Sequence, residues 1–191
     1  MTEPLPGVAQ VYVELRAADP EALSAFSVAR ARLEAGRQLR GLRRLRLFEL
    51  RGMLPAHAEL EERLHHSICF YNPAKERATV RANTAEPAPF GADESLVLVL
   101  DRGLERRAAA ERWWRQETGE KVEVREGTVW ALTFEPGADV TPCSASLAVA
   151  TDRAHGLFSN PHFQDWRPGA GDSPPFPWLA RVSRTRKGGT P

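Results

Sequence analysis

The side chains able to do chemistry gather in three stretches of a 191-residue chain. His155, His162 and Asp165 share one of them, ATDRAHGLFSNPHFQDW, with Asp152 inside it and Cys143 shortly before it. Imidazole, carboxylate and thiol groups ligate metals and move protons near neutral pH. Their spacing here matches no metal motif. Two readings stay open: a small-molecule enzyme site beneath the C-terminal segment, or a loop anchored by aromatics with histidines at its rim. No metal or cofactor is expected.

The second stretch is basic: Arg37, Arg40, Arg43, Arg44, Arg46 and Arg51, with only Glu49 among them. Arg37, Arg40, Arg43, Arg44 and Arg46 are the candidate anion-binding set, for a phosphate or an RNA backbone. A solvated edge or pairing with the many glutamates competes with that reading. The third stretch holds His65 and His66 at the end of an expected helix. Neighbouring helical side chains diverge by about 100°, so the two do not share a metal. They serve as cations at a helix C-terminus or, with Tyr71, as acid–base groups of an RNA-cleaving protein.

Composition narrows the choice. Lys and Arg number 26 against 25 Asp and Glu, a net charge of +1 that creates no global field for nucleic acid. There is no Gly-rich phosphate loop, Walker sequence, G-x-S-x-G or paired C-x-x-C. Cys69 lies in an apolar run and reads as a small buried hydrophobe. No apolar run approaches the roughly 20 residues of a membrane span, and Met1 to Gly7 carries no secretion signal. A cytoplasmic protein with no membrane contact is expected.

The elements that must position these groups follow from periodicity. Val11, Val13 and Leu15 alternate with Tyr12 and Glu14, a strand over Val8 to Leu15 with one buried face. Asp19, Pro20 and Glu21 start a helix, and Gly36 stops it. A strand over Arg44 to Arg51 changes phase between Leu47 and Phe48, marking a bulge or burial on both sides. A helix from Pro55 to His66 and strands at Ser67 to Tyr71 and Arg77 to Ala82 complete a first unit over residues 1–82. Residues 83–94, rich in Pro and Ala, read as a linker. The second unit, 95–135, has a central strand SLVLVLD, a helix over Leu104 to Thr118 and a hairpin turning at Glu126-Gly127. In that helix Trp113 and Trp114 divide between core and edge.

The whole is an α+β fold of two tandem ferredoxin-like (β-α-β) units with antiparallel sheet, followed by an irregular C-terminal segment. Ser144 to Thr151 is a short strand or helix. Residues 136–182, with Phe158, Phe163, Trp166, Phe176, Trp178 and Leu179, wrap on the body, because exposing so many apolar groups is costly. Residues 183–191 are expected to be disordered.

The strand VYVEL, the Asp19-Pro20 helix start, the strand LRLFEL and the later LVLVLDRG and VEVREGTVWALTF together resemble a known family. They are similar to the PurS subunit of formylglycinamidine ribonucleotide synthase and to the PurS-like N-terminal domain of its long single-chain forms. The resemblance covers about residues 8 to 135. It implies a non-catalytic accessory or scaffolding protein linked to purine biosynthesis, bridging a glutaminase and an ATP-dependent synthetase, with no functional residue carried over. A protein partner or self-association is expected, and nucleic acid is not favoured.

Overall fold

A computed structural model describes residues 6–83, 85–152, 155–171 and 174 of the chain. Its strands are β1 (Pro6–Leu15), β2 (Leu39–Met53), β3 (Glu76–Arg81), β4 (Glu94–Asp101), β5 (Val122–Phe134) and β6 (Gln164–Ala170). Its helices are α1 (Pro20–Arg32), α2 (His57–His66), α3 (Ala108–Thr118) and α4 (Val140–Ala148). The strands form one antiparallel sheet in the order β3-β1-β2-β5-β4-β6. No described helix is long and apolar enough to cross a membrane.

The α+β class and the antiparallel sheet are as expected; the connectivity is not ferredoxin-like. α1 joins β1 to its own antiparallel neighbour β2, and α3 joins β4 to β5 in the same way. A ferredoxin-like unit instead crosses between parallel strands. Each half has the order β-α-β-α-β, and its first strand lies at its centre: β3-β1-β2 in one half and β6-β4-β5 in the other. The halves join along β2 and β5, the longest pairing in the sheet.

All four helices cover one face, in two cores. Leu60 and Leu64 of α2 meet Ala110 and Trp114 of α3 over Val11, Phe48, Leu50 and Val124. Ala29 of α1 and Leu147 of α4 meet over Val97, Trp130 and Leu132. Each core thus takes one helix from each half, so the segment 83–94 does not separate two independent bodies. On the sheet's other face Tyr12, Leu45, Leu47, Leu98 and Val129 are buried, and Ala88 and Phe90 from that segment pack on them. The Phe90 ring stands edge-on to Tyr12 at 5.2 Å.

Several sequence expectations change. β1 and β2 are buried on both faces, which explains the phase change at Leu47 and Phe48 without a bulge there; the register shift falls at Leu39/Gly41 instead. The hairpin at Glu126-Gly127 is one continuous strand. Gly127 is needed because a Cβ would meet Leu100 Cδ2 at 2.7 Å and Leu98 Cδ1 at 3.0 Å, so close approach, not turn geometry, selects it. Gly36 does not end α1. It lies in a 3-10 turn, Ala35–Gln38, tight against Ala29, where a Cβ would meet the Ala29 carbonyl oxygen at 2.2 Å.

Ser67 to Tyr71 is a turn that buries Phe70 and Tyr71 and leaves Ile68 91% exposed; β3 follows it. The expected helix from Leu104 begins only at Ala108, because Glu105 to Arg107 runs beside β5, with the Arg107 amide donating to the Val124 carbonyl at 2.8 Å. Past Phe134 the described residues are not all irregular: they include α4 and the edge strand β6. The wrapping expected of Phe176, Trp178 and Leu179, and the disorder expected of 183–191, lie outside the described residues.

Candidate functional site

The arginine run is divided by the strand that carries it. Alternation along β2 sends Arg44 and Arg46 to the helix face and Arg43 to the other. Arg44 bonds Asp19 at 2.8 Å and also pairs with Glu21. Arg46 bonds Glu76 at 2.7 Å, lies 3.7 Å from Glu126 and donates to the Phe70 carbonyl. Arg43 lies 3.5 Å from Glu94 and donates to the Pro89 carbonyl. Arg37 and Arg40 are exposed, Arg37 on the 3-10 turn. The five do not form one anion surface, and three of them already face carboxylates.

The C-terminal cluster is likewise not brought together by the contacts of its members. His155 Nδ1 lies 2.9 Å from Asp152 in an exposed turn. Asp165, on β6, accepts from Arg102 at 2.8 Å, and Arg102 also donates to the His162 carbonyl at 3.4 Å. His162 and Asp165 therefore share an anchor in Arg102, while His155 belongs to the loop after α4. Among the described residues, no group of three or more His, Cys, Asp or Glu side chains is placed to hold a metal ion.

At Arg102 the end of β4 is tied to the loop that precedes β6. The Arg102 amide donates to the Phe163 carbonyl at 2.8 Å, and the Leu104 amide closes a turn on the Asp101 carbonyl at 3.2 Å. Leu104 and Phe163, on these two adjoining loops, are 76% and 52% exposed.

The third sequence candidate does assemble. α2 and the turn after it place Glu61, Glu62, His65, His66 and Tyr71 around an open cleft of about 380 Å³. Ala58 and Ala78 complete its lining. His65 Nδ1 and the Tyr71 hydroxyl share a hydrogen bond at 3.0 Å. His66 Nδ1 donates to the Glu62 carbonyl at 2.8 Å, because a carbonyl can only accept. Burial first, and then the charge of Glu61, raise the Tyr71 phenol above its usual value and keep it neutral.

A fourth group escaped the sequence reading. Arg81, Gln10, Glu49 and Arg125 are cross-strand neighbours in one row over β3, β1, β2 and β5. Gln10 and Glu49 are fully buried, Tyr12 donates to Gln10 Oε1 at 2.8 Å, and Arg81 approaches the same oxygen at 3.4 Å. Burial pushes the Tyr12 phenol far up, with Arg81 opposing. The alternation of β1 had assigned this face to solvent. The available signal was register: polar groups stand opposite one another across neighbouring strands, Glu49 facing the opposite charge of Arg125.

Comparison with protein-family models, with curated proteins and with solved structures found no match in any of the three.

Proposed function

We propose that the chain is a non-catalytic accessory protein that acts through protein contacts, built from a duplicated β-α-β-α-β unit. Support for duplication comes from the shared element order and the shared central position of the first strand in each half. A PurS-like scaffold in purine biosynthesis is the named form of this reading, carried by the sequence resemblance alone.

The observation that carries the accessory role is the exposure of Leu104 and Phe163 on two loops tied together at Arg102. Large apolar side chains exposed on anchored loops lose free energy in water, at roughly 25 cal/mol per Å², unless a partner covers them. The engagement of Arg43, Arg44 and Arg46 with carboxylates weighs against the RNA reading. The separation of His155 from His162 and Asp165 weighs against an enzyme site at that cluster.

Affinity capture of the tagged full chain from its own lysate, with mass spectrometry of what remains bound, tests this. Glutaminase and synthetase subunits in fixed proportion are the outcome expected of the PurS-like form. A different protein in fixed proportion keeps the accessory role and removes the purine link. A chain recovered alone, or with nucleic acid released by salt, contradicts the reading.

A further inference from the structure

The cleft beside α2 is not used by the accessory role, and its chemistry is specific. Carboxylates at Glu61 and Glu62 rim it, and neither is buried. His66 donates through Nδ1, which leaves its Nε2 as an acceptor in the neutral ring. The His65 ring lies 5.9 Å from His66 and 6.2 Å from Tyr71, so three rings form a continuous wall. Arg16, the cation acting on Tyr71, is tied by its Nε to the Pro73 and Glu76 carbonyls at 3.1 Å each.

These features exclude some ligands and fit one class. Carboxylates at the rim repel phosphates and other anions. A divalent metal needs several convergent ligands at about 2 Å, and no such group exists among the described residues. A primary ammonium carries three donors and no acceptor. It tolerates looser geometry than a metal, and a ring face adds to its binding. The methyl groups of Ala58 and Ala78 offer apolar contact to a short alkyl chain.

We infer that the cleft of Glu61, Glu62, His65, His66 and Tyr71 is a binding site for a short alkylammonium group. The ammonium sits against the exposed Glu62 carboxylate, with Glu61, whose Oε1 lies 3.3 Å from His57 Nε2, adding negative charge from the same turn, and its alkyl chain runs along the alanines and the Tyr71 wall. The group belongs either to a free diamine or to a lysine side chain of a peptide. The chemistry is the same, and this inference stands whether or not the accessory reading does.

The test is titration of the ¹⁵N-labelled full chain with 1,4-diaminobutane, Nα-acetyl-lysine amide and, as a neutral control, 1,4-butanediol. Saturable shifts of the Glu61, Glu62, His65 and Tyr71 signals with one or both amines, and none with the diol, are expected. The double variant Glu61→Gln/Glu62→Gln, altered only at exposed positions, should weaken the response at least about tenfold, as expected for loss of charge-assisted bonds. Tighter binding of the diamine indicates a free amine, and tighter binding of the lysine amide a peptide. Equal shifts with the diol, no saturation with either amine, or unchanged binding by a folded double variant overturns the inference.

Discussion

Glu111 of α3 accepts hydrogen bonds from Arg106 Nε and Nη2 at 2.8 Å each and from the Val124 amide at 3.1 Å. The Arg106 bonds, against the opposing effect of burial, hold its carboxyl below the usual range. A depressed folded-state pKa contributes stability above the unfolded value, about 4.3, and that contribution is lost as pH falls through the folded value. Glu111→Gln should therefore lower stability at pH 7 by about 1–3 kcal/mol. Denaturant melts from pH 7 to pH 3 should show the gap to wild type closing; a gap independent of pH would refute this role. At Gly36 the constraint is steric. Gly36→Ala drives a methyl into the Ala29 carbonyl, and a loss of about 1–3 kcal/mol or more is expected in the same melts. Residue type announced Gly36 and Gly127 as notable without giving the reason. Gly36 looked like a helix stop and Gly127 like a turn, because a close approach between distant segments leaves no local mark in sequence.

At the scale of elements, α1 shows what local chemistry does announce. Asp19 accepts from the Glu21 and Ala22 amides, and Pro20 opens the helix. Partial burial works against ionisation of Asp19, yet the bonds from Arg44 and from the Glu21 amide outweigh it and lower its pKa. Asp19→Ala removes both cap and ion pair and should cost about 1–2 kcal/mol. Asp19→Asn, which keeps a capping oxygen, should cost visibly less; equal losses would mean that the Arg44 pairing, not the cap, matters. Such start signals, the alternation of β1 and the continuous apolar run of β4 were legible because they are local. β6 was not: QDWRPGA contains Pro and Gly and no alternation, and an edge strand tolerates both. The same limit hid the buried row from Arg81 to Arg125, whose members meet only through sheet register.

For the molecule as a whole, the exchange of helices between halves makes one cooperative body. Trp114→Ala in one core and Leu147→Ala in the other should each lower a single unfolding transition, by about 3–5 and 2–5 kcal/mol. Two separable transitions, each moved by only one variant, would contradict that coupling. The α+β class was readable from the sequence, whereas α4 and β6, which complete the second half, and the strand order that interlocks the halves were not. Of the candidate groups, only His65, His66 and Tyr71 came together as one cleft; the arginines were separated by the alternation of β2. The claim that this body works through a partner bears on Leu104 and Phe163. The most direct measurement is quantitative capture from lysate by the wild-type chain and by Leu104→Asp/Phe163→Asp, with melting curves on both. The account predicts a partner in fixed proportion on the wild type, lost from a variant that still melts like it; a partner retained equally by the folded variant, or absent from the wild type, contradicts it.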